Sequence, residues 1–477
     1  MMAQPTPSQT NPRSEGLGLS ASALPGDNGN AFRQNLASRA GILCGSVALV
    51  IGFTNPIAMS LTEVLLGVMA ACWLLAGGWR ERLNVIFSNP VAVASLAMLA
   101  FLAVSGLYGE APLFEAVTGF VKYRNLLYLA LFVSIFGTEG MREAGVRAFV
   151  AAMVVTLIAA FMAEAAIPPF HNHHARLGSD AGIFRNRIIQ GLCMGLLAYL
   201  MLHRFTEEPR KRWPLGILAL LAMWNTLFML GGRSGYLALG GLLALFCVQR
   251  LRLRTLAYAG AVLGVVGVVG CFHSETILMR IGLVQTETAA YMDYRYHGGP
   301  LVPEGWIEPV THTSCGRRLE FYRYGMNLFR EHPLLGIGVG NVMHHLKAYP
   351  EEEGNGPAHH NLHSEFLMMA VQGGLVGLGL YLGLLAVIWH NSRKLSPHMR
   401  HLAQGMLVLT IVAGVVNSIT IERTEGVLFA YCLGLAFSEL AGRTASMRQS
   451  APEDEASDDV GIPEANEASP PPLSRAA

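Results

Sequence analysis

The chain has 477 residues, of which 52% are hydrophobic and 14% are charged, and its formal net charge is +1 at pH 7. Soluble globular proteins usually carry about 25% charged residues, so this composition excludes an ordinary soluble domain. The balanced charge gives no indication of a nucleic-acid partner. The sequence also contains no P-loop, no dinucleotide-binding glycine motif and no paired CxxC.

Apolar windows recur along most of the chain and predict an all-α integral membrane protein with about 12 transmembrane helices. Helices are expected because backbone groups in lipid must form hydrogen bonds within their own segment. The first and eighth windows are short, and either could be re-entrant. The windows are 40–54, 58–77, 89–107, 119–136, 147–167, 184–202, 213–231, 235–249, 255–272, 365–389, 402–418 and 425–441.

The windows and the polar stretches between them divide the chain into five segments. Lys and Arg concentrate in alternate short connections, and the positive-inside rule then places both termini in the cytoplasm. The long polar segment falls on the outer side, and the polar, Pro- and Ser-rich tails are expected to be disordered. The segments are an N-terminal tail (1–36), transmembrane helices 1–9 (37–272), a large, partly helical outer loop (273–364), transmembrane helices 10–12 (365–442) and a C-terminal tail (443–477).

Several cations break the positive-inside rule, because they lie on the outer side. Charges at a membrane edge are costly and usually face a polar cavity, although each could instead snorkel to the interface or pair with a carboxylate. Guanidinium groups bind phosphate oxygens bidentately, so cations gathered on one outer rim predict a phosphate-binding site. These residues are Lys122, Arg124, Arg185, Arg187, Arg233, Arg317 and Arg318.

Histidines cluster where the tenth window begins, in "GPAHHNLHSEFL". His359 and His363 have the i,i+4 spacing of metal ligands, and "HNHH" at 171–174 adds imidazoles on the same side. No H-E-x-x-H or paired Asp motif accompanies them, so we expect no metal and no other cofactor. The 171–174 run is interpreted as a solvated loop, and His363 could equally be an ordinary interfacial histidine.

Three stretches resemble the O-antigen ligase and polymerase superfamily of bacterial envelope glycosyltransferases. They are "GGRSGYLAL" (231–239), "RLEFYRYGMNLFREHPLLGIGVGN" (318–341) and "HSEFLMMAVQGGLVGLGLYL" (363–382), in the order found in the family. The resemblance covers roughly residues 40–442.

The resemblance implies that Arg233, Arg318 and His363 are catalytic. The family commonly has His-Asn where this chain has His363-Ser364, and His360 precedes an asparagine three residues earlier. The base therefore remains open between His360 and His363, and the distance to the later Gly-Gly pair favours His363. The cations expected to bind substrate are Lys122, Arg124, Arg185, Arg187 and Arg317, and His360 is expected to join them.

The function implied is that of an O-antigen ligase. Such an enzyme moves a glycan from undecaprenyl pyrophosphate to a hydroxyl of the lipid A-core oligosaccharide, at the periplasmic face of the bacterial inner membrane. A histidine, with an ordinary pKa of about 6.5, would accept the hydroxyl proton, and arginines would stabilise the leaving pyrophosphate without a metal. Attack opposite the leaving group would invert the anomeric centre.

Three alternatives remain at this level. An O-antigen polymerase joins repeat units on the same lipid carrier and shares these motifs. A transporter or flippase for lipid-linked glycans would show internal repeats and charges near mid-span, whereas this sequence shows no clear repeat and its unusual cations lie on one face. A non-catalytic scaffold would use the outer loop to bind a protein.

Overall fold

The structure is a computed structural model, described here for residues 27–169, 182–230, 232–250, 275–347 and 361–449. The predictions for His359, His360, the 171–174 run and the window 255–272 lie outside these residues. The described residues contain 81% helix and no strand, which confirms the all-α class. The helices also confirm a membrane protein, because six of them are long and apolar enough to cross a membrane.

The helices vary in length from 7 to 28 residues. They are α1 (Asp27–Thr54), α2 (Met59–Leu75), α3 (Trp79–Ser88), α4 (Pro90–Ser105), α5 (Leu113–Val121), α6 (Asn125–Ile135), α7 (Glu139–Glu164), α8 (Arg187–Glu207), α9 (Arg212–Trp224), α10 (Arg233–Arg250), α11 (Glu275–Met292), α12 (Ser314–Glu331), α13 (Asn341–Lys347), α14 (Glu365–Ser392), α15 (Pro397–Val416) and α16 (Arg423–Gln449).

The six candidate spans belong to α1, α7, α8, α14, α15 and α16, and α2 with α3 makes a seventh if their 117° bend lies within one crossing. Every apolar window except 255–272 falls on one of the helices. Shorter elements account for part of the difference from 12, because a 3-10 turn at Lys122–Arg124 separates α5 from α6, and a π-helical turn at Asn225–Met229 follows α9. The window 255–272 lies outside the described residues. The count of 12 crossings stays a prediction.

Burial orders the helices from the centre of the bundle outward. In the span Arg423–Ala441 of α16, 94% of the residues are buried, against 39% in the span Gln34–Thr54 of α1. The bundle therefore forms around α16, which packs along α6, and α1 lies at the periphery with α2. α1 begins at Asp27, within the segment assigned to the N-terminal tail, and α16 continues to Gln449, past the boundary at 442.

The glycine-rich turn after α12 packs against a break in α14. Gly374 interrupts α14 with φ 61° and ψ −155°. Beside the break, the backbone N–H of Ile337 donates to the carbonyl of Val371 (2.9 Å), and that of Gly338 donates to the carbonyl of Gln372 (3.0 Å). Positive φ at this turn favours glycine, and these bonds satisfy backbone groups that the broken helix would otherwise leave unpaired.

Candidate functional site

Three arginines, here called the arginine cluster, come together from distant parts of the sequence: Arg187, Arg233 and Arg318. Arg187 begins α8, Arg233 begins α10, and Arg318 lies in the second turn of α12. A Cβ built on Gly232 would lie 3.6 Å from the carbonyl oxygen of Arg187, so the turn before α10 packs on the start of α8. Arg233 Nη1 donates to the Sγ of Cys315 (3.0 Å), one turn before Arg318.

The charges of Arg187 and Arg233 act on the guanidinium of Arg318. Burial lowers the pKa of its guanidinium; the Tyr322 hydroxyl opposes that shift, whereas the charges of Arg233 and Arg187 lower the pKa further. Arg318 Nη1 donates to the Oγ of Ser314 (3.2 Å), and its buried Nε has no hydrogen-bond partner among the described residues. Partly buried like charges repel one another, and a bound anion would relieve that repulsion.

His363 is held by its backbone in an unusual conformation. Its φ is 52°, which is uncommon for a residue with a side chain. Its N–H donates to the Oδ1 of Asn361 (2.9 Å), and its carbonyl accepts a hydrogen bond from the Tyr322 hydroxyl (3.1 Å). The imidazole stacks on the ring of Phe321, with centroids 5.8 Å apart and planes at 23°. These contacts fix a partly exposed imidazole against α12.

Tyr322 links this histidine to the arginine cluster. It lies four residues after Arg318, so the two side chains share one face of α12. Burial raises the pKa of the Tyr322 phenol, which therefore stays protonated at neutral pH and acts as a donor. Its hydroxyl also lies 3.1 Å from the carbonyl of Val415 at the end of α15. α12 thus presents Arg318 and supports His363 at the same time.

The connection between α15 and α16 joins the remaining parts of the site. Asn361 Nδ2 donates to the Oε1 of Glu422 (3.1 Å), and the Asn361 Oδ1 accepts from the Oγ of Ser418 (2.6 Å). At its other end, Asn417 Nδ2 donates to the Oγ of Ser234, the second residue of α10 (3.1 Å). The connection therefore ties the segment that precedes α14 to the start of α10.

Two further predicted cations border this connection. Arg185 bonds to the hydroxyl of Thr424, and burial lowers the pKa of Arg185 although the nearby Glu425 opposes the shift. Lys122 interacts electrostatically with Glu422 and lines a cavity of about 300 Å³. The residues lining that cavity do not include the arginine cluster. Arg185 and Lys122 therefore lie beside the connection between α15 and α16 and not within the arginine cluster.

Arg124 and Arg317 have other partners. Arg124 forms an ion pair with Glu63, which matches the carboxylate pairing considered as the alternative for this residue. Arg317 Nη2 donates to the carbonyl of His312 (3.1 Å), so it braces the turn before α12. Arg317 therefore bonds to a backbone carbonyl, whereas its neighbour Arg318 belongs to the arginine cluster.

Sequence reasoning missed several polar residues around the site. Tyr322 could have been found from its i,i+4 spacing after Arg318. Glu422 lies in "ITIERTEG" (419–426), and charged residues in this short connection between two apolar helices could have indicated a polar site. No sequence pattern marks Cys315 or Asn361, because their hydrogen-bond partners are distant in the chain.

Residues 218–382 match the O-antigen ligase family. Over this segment the chain is similar to that family, and the predicted resemblance to the superfamily is therefore confirmed. The matched segment contains Arg233, Arg318 and His363, whereas Arg187 and the connection between α15 and α16 lie outside it. The family covers ligases and polymerases, which are membrane glycosyltransferase-like enzymes. No curated protein matches the chain.

Proposed function

We propose that this protein is an O-antigen ligase. It would transfer a glycan from undecaprenyl pyrophosphate to a hydroxyl of the lipid A-core oligosaccharide. The observation that carries the proposal is the arginine cluster, which Tyr322 links to the backbone of His363; two of the three arginines lie in the segment that matches the O-antigen ligase family. The charge of the connections supports an inner-membrane protein whose cluster faces the periplasm and whose termini are cytoplasmic.

The arginine cluster binds the donor pyrophosphate in this proposal. Guanidinium groups offer paired N–H donors that match phosphate oxygens. Arg318 has an unpartnered Nε in the described structure, and the charges of Arg187 and Arg233 act on it, so a diphosphate would neutralise a repulsion already present. The interaction strengthens as the glycosyl bond breaks and negative charge grows on the leaving oxygen.

His363 acts as the general base. The acceptor hydroxyl oxygen attacks the anomeric carbon, the bond from that carbon to the pyrophosphate oxygen breaks, and its electron pair stays on undecaprenyl pyrophosphate. His363 takes the hydroxyl proton as attack proceeds, which typically accelerates such a step about 10²–10⁴-fold. Attack from the side opposite the pyrophosphate inverts the anomeric centre, and no metal takes part in these steps.

The other predicted residues have narrower roles in the proposal. Arg185 and Lys122 lie beside the α15–α16 connection and would contact more distant parts of the two lipid-linked substrates. Arg124 and Arg317 support the fold through Glu63 and the carbonyl of His312.

A strain that lacks the gene tests the reaction. Gel analysis of its lipopolysaccharide is expected to show core without O-antigen, and full-length O-antigen left on the lipid carrier. Core that carries a single repeat would identify a polymerase instead. Unchanged lipopolysaccharide would contradict both activities.

Purified protein tests the mechanism. Transfer from a polyprenyl-pyrophosphate glycan is expected to continue in EDTA, and loss of activity in EDTA would contradict the metal-free steps. His363→Ala is expected to abolish transfer while donor binding survives, and the exposed His390 provides the matched control, His390→Ala. If His360→Ala is inactive and His363→Ala is fully active, the base has been assigned to the wrong histidine.

A further inference from the structure

A second group of ionisable side chains lies at the opposite end of α8 from the arginine cluster. We call it the histidine cluster: His203 and Glu207 of α8 with His398 and His401 of α15. Ligand atoms of His203, Glu207 and His401 all lie within 4.8 Å of one another. The rings of His203 and His401 stack, with centroids 3.6 Å apart and planes at 18°. His398 Nε2 lies 3.2 Å from the Oε2 of Glu207.

Two ring nitrogens of this cluster are buried and form no hydrogen bond among the described residues: the Nε2 of His203 and the Nδ1 of His401. The Oε2 of Glu207 is also buried, and its contact is the one with His398 Nε2 at 3.2 Å. The His203 residue is only 1% exposed. Buried polar atoms almost always have partners, so two unpartnered nitrogens within one group of potential metal ligands indicate a missing ligand.

The cluster also has space beside it. A small cavity open to solvent is lined by His203, His398 and His401 together with Arg204 and apolar side chains. A small ion can therefore approach these three histidines from the cavity. The site is distinct from the arginine cluster, because Arg187 and His203 are 16 residues apart on one helix, or about 24 Å along its axis.

We propose that the histidine cluster binds a divalent transition metal of the zinc class. The ligands are His203 Nε2, His401 Nδ1 and Glu207 Oε2, with His398 Nε2 as the fourth. Imidazole nitrogen and carboxylate oxygen are ordinary zinc ligands, at about 2.0–2.2 Å from the metal. Two such ligands on a tetrahedral ion lie roughly 3.4 Å apart, so binding requires the ligand atoms to move closer and the stacked rings of His203 and His401 to rotate toward one point.

Arg250, the last residue of α10, sets the affinity of this site. Its Nε donates to the Nδ1 of His203 (3.1 Å), and its guanidinium pairs with Glu207. A histidine that binds metal through Nε2 normally carries its proton on Nδ1. Arg250 must therefore release that nitrogen when the metal enters, and its charge opposes the metal. The guanidinium therefore competes with the metal through the tautomer of His203 and through its charge, although the two contact different atoms.

The test uses full-length protein in detergent, purified with a tag that contains no histidine and freed of metal with a chelator. Co²⁺ is titrated and followed by its visible absorption, and Zn²⁺ is added in competition. We expect one Co²⁺ per chain, displaced by Zn²⁺. His203→Asn and His401→Asn should each weaken binding at least tenfold, whereas Arg250→Gln should strengthen it about tenfold.

His390→Asn is the matched control, because His390 is exposed near the same end of the bundle on α14. It should leave binding unchanged. Absence of stoichiometric binding to the wild type, or equal binding by His203→Asn and His401→Asn, would overturn the proposal. If those two variants fail to fold, Arg250→Gln decides the matter, and an affinity equal to that of the wild type contradicts the competition described above.

Discussion

Arg317 and Arg318 are neighbours on α12 with different surroundings, so substituting each of them in turn gives the sharpest test of the arginine cluster. Arg318→Ala removes a guanidinium whose pKa is lowered by burial and by nearby positive charge. Arg317→Ala removes one whose Nη2 donates to the backbone carbonyl of His312. The substitutions are chemically identical and adjacent, so a difference between them reports on position alone.

The expected losses follow from the partners of each side chain. A guanidinium has five N–H donors, and Nε is unpartnered in both Arg317 and Arg318 among the described residues. The two differ because the charges of Arg233 and Arg187 act on Arg318, whereas Arg317 bonds to the carbonyl of His312. One charged hydrogen bond to the donor is worth about 1.5–3 kcal/mol, so Arg318→Ala should lower kcat/KM about 10–150-fold. Its Tm should stay equal or rise, since repulsion from Arg187 and Arg233 is removed.

Arg317→Ala should behave in the opposite way. Loss of one neutral-acceptor hydrogen bond costs about 0.5–1.5 kcal/mol of folding stability, and kcat/KM should stay within about twofold of the wild type. Transfer from a polyprenyl-pyrophosphate glycan and thermal unfolding in the same detergent measure the two quantities. Equal loss of activity in both variants, or a destabilised Arg318→Ala with full activity, would refute the reasoning.

Three further substitutions probe the supporting structure. Gly338→Ala should strongly destabilise the protein, because its φ is 87° and an added Cβ would lie 2.3 Å from the carbonyl oxygen of Ser105; thermal unfolding measures this. Asn361→Ala should lower kcat about tenfold with little change in KM for the donor, because it frees the backbone of His363. Gly191→Ala should lower kcat/KM severalfold, because it separates α8 from α10 by a few tenths of an ångström.

Matched glycine variants serve as controls for Gly338→Ala and Gly191→Ala, and a contrary outcome is defined for Asn361→Ala. Gly379→Ala places its Cβ in open space on α14 and should leave the Tm unchanged. Gly195→Ala, one turn after Gly191, makes only an ordinary 3.5 Å contact and should keep full activity. An Asn361→Ala protein that loses donor affinity but not turnover would show that Asn361 contacts substrate instead of positioning the base.

The sequence predicted the helical windows well because hydropathy reports directly on the environment of a segment. It also selected Arg233, Arg318 and Arg187, since charge on an outer edge is conspicuous in an apolar chain. It could not separate Arg318 from Arg317, because both follow a helix start and only the angle around α12 decides which one faces the cluster. It predicted that Arg124 contacts substrate, which stays a prediction, and it could not identify Glu63, 61 residues away, as the ion-pair partner of Arg124.

The histidine cluster was invisible to sequence reasoning for a different reason. His203 and His401 are contributed by helices far apart in the chain, and each lies near the end of an apolar segment where a polar residue attracts no attention. The motifs that suggested a metal lay elsewhere, at His359 and His363, where local spacing resembled a ligand pair. Spacing identifies metal sites built within one helix, and it fails for sites built between helices.

One close helix contact determines the geometry of both clusters. A Cβ added to Gly191 of α8 would lie 3.1 Å from the Cα of Gly235 of α10, so the two backbones nearly touch there. Arg187 and Arg233 begin these same helices, and this approach keeps their like charges together despite repulsion. At the other ends, α8 carries His203 and α10 carries Arg250. The glycines therefore fix the spacing of the guanidinium groups at one end and the competition between guanidinium and metal at the other.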